Sequence, residues 1–144
     1  MAEPSTDQES AVTAEAINTM IAELFPGFGN VCVEVDERSA LARIVPTQEH
    51  LRPGGFISGP TQFGAADAAL WYLTFGAIGR LEPMALTSEL SIRYLRPAVG
   101  DVLWARADLE VAGRRNVVGT VRIWTDTNDA KPSATAQGTY VLPH

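Results

Sequence analysis

Between Thr61 and Gly79 the sequence carries one charged side chain, Asp67, in the middle of its most apolar segment. Burying an unpaired carboxylate costs several kcal/mol, so an acid kept there either lies on a polar stripe or serves chemistry. As chemistry, it would be a general base or a nucleophile made more reactive by apolar neighbours. As structure, it would belong to a partly wet stripe of Thr61, Gly64, Asp67, Trp71 and Thr74 facing a groove. The start of the same segment supplies the complementary group. The first N–H groups of a helix lack internal partners and point toward any developing negative oxygen. Ser58 or Gly59 caps this helix and Pro60 sits in its first turn. Pro60 has no N–H, so the usable donors are those of Gly59, Thr61 and Gln62, with Gly59 allowing close approach of a substrate. The same residues also make an ordinary capped helix start whose glycines serve only the turn.

Asp67 lies about six to eight residues beyond these donors, roughly 10 Å along a helix that rises ~1.5 Å per residue. An acid or base must lie within about 3 Å of the group it serves, so one carbonyl cannot touch both ends of one helix. Two such helices, antiparallel across a two-fold axis, would set Asp67 of one copy beside the helix start of the other and create two equivalent sites. The chemistry therefore predicts a homodimer.

The elements that must hold this helix follow from periodicity. Val12, Ile17, Met20, Ile21 and Leu24 recur at helical spacing before Pro26 and Gly27. Val31 to Asp36 alternates and Ser39 to Val45 follows a short turn, which predicts a β-hairpin. Pro46 to Gly59 is dense in proline and glycine and reads as a loop. After the central helix, Thr61 to Ile78, come four strands: Met84 to Leu95, Asp101 to Ala112, Arg115 to Thr125 and Ser133 to Leu142. Consecutive strands with short turns pair antiparallel, so the predicted class is α+β, one curved sheet packed around a single central helix. Residues 1–10 read as a loosely ordered tail and 11–144 as one domain.

Composition narrows the function. With 17 acidic against 11 basic side chains the formal charge is −6, and no Lys/Arg stripe suits nucleic acid. Cys32 is the one cysteine, so no intrachain disulfide forms. His50 and His144 are its only soft-ligand companions, which argues against a metal site. The N-terminus lacks a basic start with an apolar run, so the expected location is cytoplasmic, away from membranes. Gly55-Phe56-Ile57-Ser58-Gly59 does not have nucleophile-elbow spacing, no Gly-x-x-x-x-Gly-Lys occurs, and Gly27-Phe28-Gly29 lacks the third glycine of a dinucleotide fingerprint.

Four segments carry a likeness: residues 53–61 (PGGFISGPT), 65–69 (AADAA), 87–98 (TSELSIRYLRPA) and Gly113-Arg114. Together they resemble the hotdog-fold acyl-CoA thioesterases, in the branch typified by the phenylacetic-acid-degradation thioesterase, over roughly Arg52 to Tyr140. The resemblance implies an antiparallel curved sheet wrapped around a long central helix. It implies Asp67 as general base or nucleophile and the Gly59 N–H as oxyanion donor. Thr87 matches a Ser or Thr that helps position the attacking water. Ser58 and Pro60 stand where the family has a His and a second Gly, and Arg52 where an Asn is often found. On strand alternation Thr87 would share a face with Glu89, Ser91 and Arg93.

The substrate so implied is an acyl-CoA-type thioester, with coenzyme A part of the substrate and no separate cofactor. Its phosphates call for cations, and Arg114 and Arg115 in a hairpin turn are the first candidates, Arg96 beside Pro97 the second. Paired arginines in a turn are also common solvated surface charge. The expected protein is a thioesterase acting as a dimer or a dimer of dimers. The alternatives are a non-catalytic acyl or aromatic ligand-binding protein, suggested by Ser58 and Pro60, and a hotdog dehydratase, which would need a placed histidine.

Overall fold

The computed structural model describes residues 12–144; the tail expected at residues 1–10 lies outside them. Helix α1 spans Ala14–Leu24, followed by strands β1 (Val31–Val35) and β2 (Ser39–Ile44). A 3₁₀ turn at Gln48–His50 leads into a two-residue ribbon, β3 (Leu51–Arg52) and β4 (Phe56–Ile57). Helix α2 runs Gly59–Ile78, and β5 (Leu86–Tyr94), β6 (Leu103–Ala112), β7 (Asn116–Thr125) and β8 (Ala134–Val141) complete the chain. The segment read as loop thus holds a small ribbon, too short to show any periodicity. Among the described residues no helix is long and apolar enough to cross a membrane.

Six strands form one antiparallel sheet in the order β1-β2-β6-β7-β8-β5. Consecutive pairing holds for β6 to β8 and fails at β5, which pairs with β8 at the far edge. The connection Leu95–Val102 carries Pro97 and Gly100 and crosses to the β2 side of the sheet, anchored where Ile57 N–H donates to the Ala98 carbonyl. It is too irregular to close a hairpin.

The twenty residues of α2 make a rod roughly 30 Å long laid on the sheet. A run from Ala65 to Phe75 is buried on nearly every side, Asp67 excepted, because the sheet wraps the helix. Small side chains allow the close approach: Ala40, Ala42, Ala105, Ala107, Ala134 and Ala136 floor the core. Gly119 and Gly138, register partners on β7 and β8, lie beneath Leu70, where a Cβ would come within 3.0 Å of its methyl groups. α1 buries Ile17 and Ile21. It is tied down by Asn18, whose amide donates to the Cys32 carbonyl (2.8 Å) while its oxygen accepts from Cys32 N–H (2.9 Å).

The hairpin turn fixes the far end of α2. A Cβ on Gly76 would sit 2.1 Å from the Asp36 carbonyl oxygen, a backbone atom that cannot swing away. Glycine to alanine inside a helix ordinarily stabilises by about 1 kcal/mol. At Gly76 the sign reverses: Gly76→Ala is expected to cost roughly 2–3 kcal/mol by overpacking, read as a lower melting temperature; an unchanged or raised one would contradict this packing.

Candidate active site

Asp67 sits midway along α2 and looks toward the start of β5 and the end of β8. Thr87 on β5 and Tyr140 on β8 are direct register partners, so two hydroxyls stand side by side beneath the carboxylate. Thr87 Oγ1 donates to Asp67 Oδ1 at 2.7 Å, and Tyr140 OH donates to the same oxygen at 2.8 Å. Tyr140 OH also lies 3.2 Å from the Asp67 backbone carbonyl. Burial pushes the Tyr140 phenol well above its ordinary range, and the neighbouring Asp67 charge pushes it the same way, so it stays a proton donor.

Thr87 reaches Asp67 because the strand is not regular. The register slips between Thr87 and Glu89, leaving Ser88 as a β-bulge. The bulge turns Thr87 toward the helix, while Glu89, Ser91 and Arg93 remain exposed. Strict alternation would have placed Thr87 on their face, so that expectation is corrected.

A cavity of about 200 Å³ opens beside the carboxylate, walled by Phe25, Phe28, Trp71 and Leu86, with Thr87 and Tyr140 at its floor. Phe25 and Phe28 meet the Trp71 ring edge-on at 5.7 and 5.9 Å between centroids. The result is an apolar compartment with one acid in its wall.

At the helix start, Ser58 is the N-cap: its Oγ accepts from Thr61 N–H at 3.2 Å and pairs with Thr61 Oγ1 at 2.7 Å. Gln62 N–H bonds to the Ser58 carbonyl. Of the three candidate donors, Thr61 and Gln62 are therefore committed within the chain, and the Gly59 N–H has no partner among the described residues. Gly59 lines a different cavity, about 490 Å³, with Arg52, Phe56, Gln62, Tyr94 and Arg96. Tyr94 OH donates to the Gly59 carbonyl at 2.8 Å and stands over the helix end. Eight residues of helix, ~12 Å, separate Gly59 from Asp67, and they open into separate cavities.

The three arginines divide between these ends. Arg114 and Arg115 are exposed in the β6–β7 turn. The register Asn116–Val141–Leu86 puts that turn on the Asp67 side of the sheet. Arg96 lies at the Gly59 cavity, its guanidinium donating to the Pro132 carbonyl. His50 Nδ1 accepts from Thr47 N–H (2.9 Å), which ties that ring to its own 3₁₀ turn. Burial pushes the Cys32 thiol up to about 12, which disqualifies it as a nucleophile. Among the described residues no three His, Cys, Asp or Glu side chains converge as metal ligands.

The sequence matches the thioesterase superfamily over residues 54–130, more than half of the chain. The chain belongs to that superfamily. Its structure is similar to a Silicibacter protein provisionally assigned as a thioesterase, with a TM-score of 0.81, 27% identity and 92% of each chain covered. It is also similar to a Haemophilus influenzae thioesterase, with a TM-score of 0.77 and 19% identity, covering 92% of this chain and 91% of the other. The E. coli PaaI protein of the phenylacetic acid degradation operon superposes with a TM-score of 0.68 and 22% identity, covering 98% and 99%. A search of curated proteins returns no match. The fold is therefore the hotdog fold of this superfamily: a long helix packed against a curved antiparallel sheet.

Tyr140 was missed by sequence reading. Its strand reads as ordinary β sequence, and only the β5–β8 pairing, itself invisible in the sequence, brings its hydroxyl to Asp67. Ser58 makes a direct test of structural against chemical roles at the helix start. With its oxygen spent on the cap, Ser58→Ala should cost about 1 kcal/mol, a drop in melting temperature of roughly 3 °C. A loss of turnover of about a hundredfold at unchanged melting temperature would instead put Ser58 in the chemistry.

Proposed function

We propose that this thioesterase hydrolyses acyl-CoA-type thioesters to the free acid and thiol, at a site completed by a second copy of the chain. The observation that carries the reading is the Gly59 N–H at the start of α2, unpartnered among the described residues, and the Asp67 carboxylate midway along the same helix, each lining its own cavity. Asp67 removes a proton from water as the water oxygen bonds to the thioester carbonyl carbon. The carbonyl π electrons move to oxygen, where the N–H of Gly59 of the partner subunit and the positive end of its helix hold the negative charge. Collapse of the tetrahedral intermediate reforms the C=O bond and breaks the C–S bond, and the thiolate leaves with the proton returned from Asp67. The alternative route has Asp67 attack the carbonyl carbon and expel the thiolate as the C–S bond breaks, giving an anhydride that water opens to the free acid and the restored Asp67 carboxylate; oxygen from labelled water appearing in Asp67 after one turnover would identify that route.

The edge position of β5 supports a shared site. The outer edge of β5 has no strand partner among the described residues, and the strand begins with Leu86, 69% exposed, next to Thr87. A copy docked along this edge comes directly against the Asp67 cavity. Within that dimer Arg114 and Arg115 of one copy and Arg96 of the other are the cations offered to the phosphates of the thiol carrier. The apolar compartment of Phe25, Phe28 and Trp71 receives the acyl group.

A second reading, a ligand-binding protein without turnover, draws on the helix start: the Ser58 and Thr61 hydroxyls there are spent on each other and on the cap, and His50 is tied to its own turn. Thiol release measured across short, long and aromatic acyl-CoA panels separates the two. Hydrolysis by the wild type with a loss of about a thousandfold or more in Asp67→Ala supports the enzyme. Acyl-CoA binding without thiol release, unchanged in Asp67→Asn, supports the binder.

A further inference from the structure

We infer that Tyr140 is a positioning residue which, with Thr87, clamps one oxygen of Asp67 and thereby makes the other, Oδ2, the oxygen that reacts; the inference rests on Asp67 being the catalytic acid. The two oxygens of a carboxylate are chemically equivalent until their surroundings distinguish them. Here both hydroxyl donors fall on Oδ1, and Oδ2 has no hydrogen-bond partner among the described residues. Two charge-assisted bonds, converging from adjacent strands, fix the side-chain torsion of Asp67 and spend the proton-accepting capacity of Oδ1. Oδ2 is left as the basic, unshielded oxygen.

Tyr140 is built for this task in three ways. It is 5% exposed, so its ring is held by packing and its hydroxyl does not wander. Its hydroxyl spans the side-chain oxygen and the backbone carbonyl of the same residue, so it references the carboxylate to the helix axis. Burial keeps the phenol protonated, so it donates throughout the working pH range. Thr87 has a second consequence. Its single proton is committed to Oδ1, so toward the cavity it offers only lone pairs. A water lying between Thr87 and Oδ2 must donate one hydrogen to each, which points its own lone pair away from both, toward an incoming carbonyl carbon.

Tyr140→Phe removes the hydroxyl and keeps the ring. The expected result is a fall in kcat of about tenfold, with KM within about twofold. The reacting oxygen loses its fixed direction while substrate binding is kept. Thr87→Val, on an exposed strand, should lower kcat in the same way and serves as the second arm if Tyr140→Phe folds poorly. The infrared stretches of an isotope-labelled Asp67 carboxylate give a readout that needs no turnover: two hydrogen bonds on one oxygen make its C–O bonds unequal, so the splitting between the antisymmetric and symmetric bands should narrow in each variant. Splitting and kcat unmoved in both variants, with only melting temperature lowered, would overturn the clamp and leave the hydroxyls as packing groups. A splitting that narrows while Asp67→Asn turns over at the wild-type rate would leave the clamp standing, but it would remove Oδ2 from the chemistry and with it the catalytic reading of Asp67.

Discussion

The structure turns on keeping one carboxylate in the middle of an apolar helix. A charge at that position is costly unless it is hydrogen-bonded, and the hydroxyls of Thr87 and Tyr140 supply the bonds. Much of the fold follows from that requirement. β5 must lie against β8 rather than against its sequence neighbour β6, so that Thr87 faces Tyr140. Ser88 must bulge, so that Thr87 turns inward. The alanine and glycine floor of the sheet must let α2 settle deeply enough for the two hydroxyls to reach it.

The length of the helix imposes the second condition. An N-terminal amide dipole and an acid about two turns away cannot serve one carbonyl, and the chain opens a cavity at each rather than a single cleft. The two-fold arrangement proposed above would resolve this without any new side chain, because each helix would lend its start to the other's acid. The exposed edge of β5 lies where such a copy would need to sit. The charge distribution is compatible with the arrangement: in a protein of net charge −6, Arg96 stands near the helix start and Arg114 and Arg115 stand toward the acid.

How much of this was legible in the sequence depended on the range of the interaction. The central helix was readable because its alanine-rich run and Pro60 are local signals, and all six main strands showed their length and punctuation within a few residues. Asp67 stood out by contrast with its apolar neighbours. The pairing of β5 with β8 left no local trace, because the crossover after Leu95 looks like any proline-containing turn. Tyr140 was hidden for the same reason: its role depends on a strand more than fifty residues away. The bulge at Ser88 was unreadable because a single extra residue reverses the alternation that the reading relied on. Ser58 was legible as a cap, and its hydroxyl indeed accepts from Thr61 N–H.

The shared site is tested most directly by complementation between two inactive variants. Asp67→Asn removes the acid, and Gly59→Pro removes the amide donor; because a Cβ at position 59 meets the Tyr94 hydroxyl at 3.1 Å, both variants are first shown to fold as the wild type does. Each variant alone should be inactive. Unfolded together and refolded at equal amounts, they should recover about a quarter of wild-type thiol release, because half of the dimers pair unlike chains and each of those holds one intact site. No recovery in a mixture shown to contain mixed dimers would contradict the account, since acid and donor would then have to act within a single chain.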